Sequence, residues 1–305
     1  MKVAVLKGGR SLERQVSLRS GARVEDALAT LGHEVVALDV GADLVRRLRE
    51  IEPEAVFVAL HGPDGEDGTA QELLEILAIP YTGPGVAACV RCMDKVLAKH
   101  EMRAAGIATP DWVAFNQTAF RDLGAGEALP EIERRLGFPL VIKPVGQGSA
   151  LGVRFAGSRE QIPEALVAAF SYDERVLLER HVPGRELAVS LLDGEPLPTV
   201  EAIPREEDRY DYEARYEIGR TEFTCPAALG AEDEAAVRET AYRTWEALGL
   251  TAFARVDVIL GENGPEVLEV NAIPGLTDTS LLPMAAEAAG LSFEDLVAKI
   301  LTLAT

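Results

Sequence analysis

Residues 140–153, LVIKPVGQGSALGV, place a lysine at the end of an apolar run and a glycine-rich loop directly after it. The loop lacks the GxxxxGK[ST] phosphate-loop pattern. The residues that follow it, GVRFA, favour a strand over the helix that a GxGxxG dinucleotide fingerprint requires. The sequence therefore predicts a loop between two strands, laid over a ligand like a lid.

The glycines alone leave two interpretations of this loop open. Their backbone N–H groups can approach an anion because no Cβ obstructs them, yet a mobile hairpin without a ligand would need the same residues. Lys143 favours phosphate binding, because lysine occurs only at positions 2, 7, 95, 99, 143 and 299 and a compact ammonium beside such a loop suits a phosphate. A strand-end lysine that reaches solvent is the alternative.

Composition narrows the class of protein. The chain has 305 residues, of which 48% are hydrophobic and 26% charged, as expected for two or three globular lobes. Its formal net charge of −20 argues against nonspecific binding to nucleic acid or to an anionic membrane. The N-terminal apolar run is too short for a signal peptide and no segment is long enough to span a membrane, so we expect a cytoplasmic protein.

The three cysteines raise the question of a metal or redox site. Cys89 and Cys92 form a CxxC, which occurs in both. Nothing in the sequence supplies the second half of a zinc site, and Cys225 is distant along the chain. Two buried thiols are therefore the favoured interpretation.

Strand-like and helix-like segments alternate along the first part of the chain. Strands are predicted at residues 2–6, 35–39 and 55–60, with helical patterns between them, which indicates a Rossmann-like parallel sheet with ligand groups at the carboxyl ends of its strands. We divide the chain into an N-terminal α/β lobe (1–93), a central lobe that carries the glycine-rich loop (94–180) and a C-terminal lobe (181–305).

Two acids and an amide fall on one face of a predicted hairpin near the C-terminus. Its strands read FARVDVIL (253–260) and EVLEVN (266–271). If Asp257 pairs with Glu269, then Arg255 lies opposite Asn271 and all four side chains point the same way. Such oxygen donors suit Mg²⁺ shared with nucleotide phosphates, although an amphipathic hairpin with a solvated outer face would show the same alternation.

The other face of the hairpin is expected to be buried, with Val256 and Val258 against Leu268 and Val270. The segment that follows, PGLTDTS (274–280), supplies free backbone N–H groups and hydroxyls just past the acids. A reaction with a charged transition state needs such donors, so this segment favours the metal site over the solvated hairpin.

At this point the sequence resembles a known family. The segment EVNAIPGLTDTS (269–280), with Arg255 and Asp257 upstream, resembles the metal and oxyanion segment of the ATP-grasp ligases. Further motifs resemble the D-alanine–D-alanine ligases within that superfamily, in order along nearly the whole chain: GGRSLERQVSLRSG (8–21), ALHGPDGEDGTAQ (59–71), PYTGPG (80–85), YDYEARY (210–216) and PGLTDTSLLPMAA (274–286).

The resemblance implies a three-lobed α/β ATP-grasp fold, with ATP held between the second and third lobes. It implies a cytosolic bacterial enzyme, usually a dimer, that makes the dipeptide of peptidoglycan. The carboxylate of a first D-alanine would attack the γ-phosphate of ATP, and the amine of a second D-alanine would attack the resulting acylphosphate.

Roles of individual residues follow from the resemblance. Glu13 should hold the ammonium of the first D-alanine, supported by His61 and Glu66. Ser280 and Leu281 should receive the carboxylate of the second.

The resemblance also implies the nucleotide and metal ligands. Lys95 and Lys143 should bind phosphates beneath a lid formed by Gly148 and Ser149. Glu179 and the backbone of His181 and Val182 should bind the adenine edge. Glu186 should bind the ribose hydroxyls.

Asp257, Glu269 and Asn271 should hold two Mg²⁺ (or Mn²⁺) ions, with Glu269 bridging. Arg255 and the Gly275 N–H should stabilise the oxyanion. Arg215 and Tyr216 belong to a loop that should close over the site.

The chain departs from the family pattern at three places. The family's lid has two serines where this chain has Ser149 and Ala150, and we expect the second to latch the lid to the residue matching Glu13, so that Ala150 would leave a looser lid. Arg215 replaces the usual lysine, and His181 replaces a common aromatic residue.

Two other functions remain open on the sequence. A D-alanine–D-lactate ligase is the first, although such relatives usually lack the loop tyrosine that Tyr216 provides. A divergent ATP-grasp paralogue with poor turnover is the second, against which Arg255 and the complete metal set argue.

Overall fold

The computed structural model describes residues 1–204 and 221–305 of an α/β chain built on three sheets. The first sheet is parallel, with strand order β2-β1-β3. Its strands and the helices that follow them are β1 (Lys2–Lys7), α1 (Arg14–Thr30), β2 (Glu34–Asp39), α2 (Leu44–Ile51), β3 (Ala55–Val58), α3 (Thr69–Leu77) and α4 (Val86–Met93).

Side-chain alternation in β1 explains why this sheet is buried on both faces. Val3 and Val5 join one hydrophobic cluster, which also contains residues of α1, whereas Ala4 and Leu6 join another on the opposite face. A parallel sheet covered by helices on both sides requires strands of this kind. The predicted N-terminal parallel sheet is therefore confirmed.

The second sheet is antiparallel, with order β4-β7-β5-β6. The residues 145–153 between β5 and β6 form the predicted loop between two strands, which we call the lid loop. The elements of this region are α5 (Lys95–Ala104), β4 (Trp112–Asn116), α6 (Gln117–Asp122), α7 (Leu129–Leu136), β5 (Leu140–Pro144), β6 (Arg154–Ala156), α8 (Ile162–Phe170) and β7 (Arg175–Arg180).

The third sheet has the order β11-β10-β8-β12-β13, with β9 paired to β8. Two helices follow its last strand, and α11 packs against α1. Its elements are β8 (Arg185–Leu192), β9 (Glu195–Pro196), β10 (Val200–Pro204), β11 (Thr221–Thr224), α9 (Ala231–Leu248), β12 (Phe253–Gly261), β13 (Gly264–Asn271), α10 (Leu281–Ala288) and α11 (Phe293–Thr302).

A bulge in the β12–β13 hairpin corrects one expectation. The register shifts between Asp257 and Val258, so that Val258 pairs with Val267. Val267 is consequently buried in the core, while Leu268 is only partly buried and lines the same cleft as Asp257. The expected packing of Leu268 on the apolar back of the hairpin was wrong, because one extra residue moves a side chain to the other face.

The three sheets lie within the segments 1–93, 94–180 and 181–305, whose boundaries stay a prediction. Backbone hydrogen bonds connect the segments: the Val267 N–H donates to the Ala108 carbonyl, and Tyr81 and Thr305 exchange a pair of bonds. In residues 1–204 and 221–305 the structure contains no helix with both the length and the apolar composition to cross a bilayer.

Cys89 and Cys92 lie in α4, a helix that the sequence analysis did not predict, and both are buried free thiols. Burial, with a smaller contribution from Glu66, raises the pKa of the Cys89 thiol to about 12. A thiol of this kind is protonated and inert at neutral pH, so the favoured interpretation of the CxxC is confirmed.

Candidate active site

Two adjoining clefts, which share Glu269, contain every predicted site residue that the structure describes. The first cleft is lined by the predicted residues Glu13, His61, Glu66, Lys95, Gly148, Ser149, Arg255, Glu269, Asn271, Gly275, Ser280 and Leu281. The second is lined by Lys143, Glu179, His181, Val182, Glu186, Asp257 and Glu269. Arg215 and Tyr216 lie outside the described residues.

Glu13 occupies the N-cap position of α1 and is only 4% exposed. Its carboxylate lies between two glycines that approach it closely. A Cβ on Gly62 would lie 2.5 Å from Glu13 Oε2, and a Cβ on Gly148 would lie 2.8 Å from the same atom. Both distances are shorter than real Cβ contacts, so a side chain at either glycine would require the carboxylate or the backbone to shift.

The lid loop contacts Glu13 directly. The Ser149 hydroxyl donates a hydrogen bond to the Glu13 carboxylate. The first of the two lid positions thus already connects the loop to Glu13, and the looser lid expected from Ala150 stays a prediction. Ala150 instead lines the second cleft, beside Lys143.

His61 uses both ring nitrogens within the protein. Nδ1 lies 3.1 Å from the Ile273 carbonyl, and Nε2 lies 2.9 Å from the Ser20 hydroxyl. Because a carbonyl oxygen can only accept, the proton belongs on Nδ1 and the serine hydroxyl donates to Nε2. Glu66 Oε1 lies 3.4 Å from Nδ1. The imidazole therefore connects the end of the parallel sheet to the segment after β13.

The hairpin register agrees with the sequence prediction at the acids. Asp257 pairs with Glu269 and Arg255 pairs with Asn271. Arg255 donates two hydrogen bonds to Asp257, of 2.7 and 2.9 Å, and both residues are only 8% exposed. The alternative of a solvated outer face is therefore wrong, since this face lies at the floor of the clefts.

The donors on this face fit a magnesium site. Asp257 and Glu269 are carboxylates directly opposite each other, and their repulsion is already reduced by Arg255 and Lys95. Their open lone pairs remain suited to a divalent cation. Asn271 adds an amide oxygen, which already accepts a 3.0 Å hydrogen bond from the Ile273 N–H. One or two carboxylates that leave positions open for phosphate oxygens are the usual protein share of a Mg²⁺ site.

Lys95, the first residue of α5, is buried where the clefts meet. Its Nζ lies 3.5 Å from Glu269 Oε2 and donates a 2.6 Å hydrogen bond to the Gln147 carbonyl of the lid loop. One ammonium thus contacts both the lid loop and the acidic face of the hairpin.

Glu179 and two lysines form a buried cluster at the wall of the second cleft. Lys143 forms an ion pair with Glu179, and Lys99 Nζ lies 3.0 Å from Glu179 Oε2. Burial opposes ionisation of Glu179, but Lys143 and Lys99 outweigh it and hold the pKa of this carboxyl below its usual value. Burial also lowers the pKa of Lys99, which Glu179 partly opposes.

The second cleft has apolar walls as well as a charged rim. The apolar lining consists of Val141, Val153, Phe155, Ile259 and Leu268. The Phe155 and His181 rings meet edge to face, with centroids 6.0 Å apart. Such a slot accepts a flat ring, while the charges at its inner end suit a chain of phosphates.

Sequence analysis missed several groups of the site. Lys99 could have been found from the scarcity of lysine, since it stands one turn after Lys95 on the same helix. Ser20 gave no signal, because a serine within a helix is ordinary. Ile259 and Leu268 read as core residues.

Comparison with known proteins assigns the family. Family models described as the N-terminus and the C-terminus of D-ala D-ala ligase match residues 45–84 and 102–302. A D-alanine--D-alanine ligase of Gloeobacter violaceus is 44% identical over 308 aligned residues, covering 99% of this chain and 98% of that protein. The corresponding protein of Moorella thermoacetica is 42% identical, covering 100% and 99%.

Solved structures agree with these matches. A D-alanine--D-alanine ligase from Bacillus anthracis superposes with a TM-score of 0.88 at 35% identity, covering 99% of this chain and 97% of that one. The same enzyme complexed with ATP gives a TM-score of 0.84 at 32% identity, with the same coverage. The chain belongs to the D-alanine–D-alanine ligase family and has its ATP-grasp fold.

Proposed function

We propose that the protein joins two D-alanines into D-alanyl-D-alanine with cleavage of ATP to ADP and phosphate. The observation that carries this proposal is the meeting of the two clefts at Glu269, with a lysine contacting both the lid loop and the acidic hairpin. A small zwitterion in the first cleft can then reach the terminal phosphate of a nucleotide in the second.

The first cleft binds the amino acids. The Glu13 carboxylate accepts the ammonium of the first D-alanine, which leaves its carboxylate directed toward the hairpin. The second D-alanine lies toward residues 274–281, where Ser280 and the N–H of Leu281 begin α10 and favour a carboxylate.

The second cleft binds ATP. The adenine occupies the apolar slot, with its edge toward Glu179, His181 and Val182 and its ribose toward Glu186. The phosphates extend toward Lys143 and Lys95, beneath the lid loop. The hairpin acids Asp257 and Glu269, with Asn271, would hold two Mg²⁺ ions, which would neutralise the phosphates and strengthen the electrophilic character of the γ-phosphorus.

Two successive substitutions complete the reaction. A carboxylate oxygen of the first D-alanine bonds to the γ-phosphorus, and ADP leaves with the electrons of the broken P–O bond. The unprotonated amine of the second D-alanine then bonds to the acyl carbon, its nitrogen releases one proton, and phosphate leaves with the electrons of the broken C–O bond. Arg255 and the Gly275 N–H stabilise the oxyanion of the tetrahedral intermediate.

The remaining roles are expectations from the family. Arg215 and Tyr216 close over the site and exclude water. The protein is a homodimer in the cytoplasm and supplies peptidoglycan synthesis, and its ions are Mg²⁺ or Mn²⁺. The alternatives, a D-alanine–D-lactate ligase and a paralogue with poor turnover, gain no support from the relatives, which carry the name of the dipeptide ligase.

One assay tests the reaction and its alternatives together. The protein is incubated with ATP and Mg²⁺ and with D-alanine, L-alanine, or D-alanine plus D-lactate, while phosphate release and product mass are recorded. We expect phosphate release with D-alanine alone and a product with the mass of the dipeptide. Absence of both would refute the proposal, and a depsipeptide as the main product would establish the lactate alternative.

A further inference from the structure

The segment after β13 has no regular secondary structure of its own. Residues 272–280, here the acceptor loop, carry Gly275 and Ser280, to which the proposed function gives the oxyanion and the second D-alanine. A hydrogen-bonded turn closes the second half of the loop, where the Thr277 N–H donates to Ser280 Oγ over 3.0 Å and the Ser280 N–H donates to the Thr277 carbonyl over 3.1 Å. This turn does not fix the backbone of the loop before Thr277. Contacts with residues outside the loop must therefore orient that part.

Helix α1 supplies that constraint chiefly at one residue of the loop, Leu276. Ser20 Oγ accepts the Leu276 N–H over 3.1 Å, and Arg23 Nη1 donates to the Leu276 carbonyl over 2.8 Å. Ser20 and Arg23 are three residues apart and thus face the same way on the helix. Leu276 stands between Gly275 and the turn, so fixing its two backbone groups orients the peptides on either side.

Arg23 is itself held in place. Its guanidinium carbon lies 3.9 Å from the centroid of the Phe293 ring, at the first residue of α11, and its Nε lies 3.0 Å from Asp278 Oδ1. A planar guanidinium can stack on a ring and still direct its N–H groups outward at its edge. The Asp278 side chain is 86% exposed, so this ion pair contributes little, and the stack and the carbonyl bond carry the arrangement.

The same helix also serves the first D-alanine. Glu13 stands at its start, and Ser20 contacts the His61 ring as well as Leu276. Helix α1 therefore contacts residues at both of the substrate positions proposed for the first cleft, and it can hold the two positions relative to each other.

We propose that Arg23 is a positioning residue that sets the acceptor loop for the second D-alanine. This inference rests on the proposed function, because it assumes that the loop receives that substrate. Arg23 is not among the residues that line either cleft. Its effect should consequently appear in the binding of the second D-alanine and not in the binding of ATP.

The experiment compares Arg23→Met with Arg19→Met, which removes the same charge from an exposed position of the same helix. Loss of a hydrogen bond to a charged group should raise the KM of the second D-alanine about tenfold. The KM for ATP should stay within about twofold, since the second cleft lies apart from α1. Arg19→Met should leave both constants unchanged.

Two further readouts separate positioning from a general loss of stability. Amide hydrogen exchange of residues 272–280 should become faster in Arg23→Met than in Arg19→Met. This measurement does not require the enzyme to turn over. Arg23→Lys should give an intermediate KM for the second D-alanine, because an ammonium reaches the carbonyl but does not reproduce the stacked guanidinium. If Arg23→Met fails to fold, Arg23→Lys tests the inference in its place.

Equal effects on both KM values, or unchanged exchange in the loop, would overturn the inference. The wild-type protein distinguishes this result from failure of the proposed function, which would appear as no phosphate release with D-alanine before any variant is made.

Discussion

Two lysines share the buried carboxylate of Glu179, but Lys99 is not among the residues that line the second cleft. Lys99 is 1% exposed and also donates a 2.6 Å hydrogen bond to Thr109, whose hydroxyl donates to the Val267 carbonyl of β13. If a nucleotide draws Lys143 toward its phosphates, as proposed, Lys99 would still compensate the charge of Glu179. The buried carboxylate would then keep one cationic partner.

We expect Lys99→Met to destabilise the fold by about 3 kcal/mol, because it removes one partner of a buried charged cluster and leaves Thr109 without its donor. Urea unfolding measures the change in the free energy of unfolding. Lys299→Met is the matched control, since Lys299 pairs with Asp193 while 45% exposed and should cost no more than about 1 kcal/mol. If both variants lost the same free energy of unfolding, burial of the Lys99 ion pair would make no extra contribution to stability.

At low pH the difference in the free energy of unfolding between the wild-type protein and Lys99→Met should become smaller. The pKa of Glu179 is lowered in the folded state, so its ionic contribution is complete above the ordinary value of 4.5 and is lost as pH falls through the folded value. Unfolding in urea at pH 7 and at progressively lower pH measures this. A difference that grew in acid would contradict the assigned direction.

The lid loop shows how far residue-level prediction reached. The sequence identified the loop and its lysine, because a lysine is rare in this chain and glycines follow it directly. It did not identify which side chain meets Glu13, since that depends on backbone direction: Ser149 and Ala150 both have positive φ, of 51° and 56°. Consecutive non-glycine residues in that region are uncommon and leave no pattern in the sequence.

The lid loop and helix α1 meet at the carboxylate of Glu13. Helix α1 begins at Arg14 and places Glu13 at its N-cap position. Glu13 makes no side-chain cap hydrogen bond, so the usual start signal was absent. Its carboxylate faces the cleft instead, where Ser149 contacts it.

The close approach of Gly148 to Glu13 gives a prediction for the lid loop. In Gly148→Ala the new Cβ would lie 2.8 Å from Glu13 Oε2, so either the lid loop or the Glu13 carboxylate must be displaced. Displacement of a binding group by about 1 Å can cost up to a hundredfold in rate. We expect kcat/KM for D-alanine to fall at least about tenfold, as measured by phosphate release.

Gly157→Ala is the control for this change, because its Cβ would be 3.5 Å from Gln161, an ordinary contact outside the lid loop. It should retain wild-type kinetics. Should Gly148→Ala retain them as well, the packing of the lid loop on Glu13 would have no part in catalysis.

For the whole molecule, local patterns predicted the parallel sheet with the helices between its strands and the hairpin of acids, because each pattern depends on neighbours along the chain. The bulge that turns Leu268 into the second cleft could not be predicted, since an inserted residue changes which face a side chain occupies without changing the local pattern. The contacts between α1 and the acceptor loop join residues more than 250 positions apart, as the bond from Arg23 to Leu276 shows. Only the assembled fold brings them together.

Binding of nucleotide and metal should connect the second and third sheets, because Lys143 lies on β5 while Asp257 and Glu269 lie on β12 and β13. A ligand that bridges them binds only the folded protein and stabilises it by ~2.7 kcal/mol at a hundred times its Kd. We expect a non-hydrolysable ATP analogue with Mg²⁺ to raise the melting temperature more than the analogue or Mg²⁺ alone. In Glu269→Gln the increment due to Mg²⁺ should vanish, whereas the analogue alone should still stabilise, since a repulsion between carboxylate and phosphate has been removed. Glu266→Gln, on the same strand but paired with Arg180, should behave as wild type, and an undiminished Mg²⁺ increment in Glu269→Gln would show that the metal binds elsewhere.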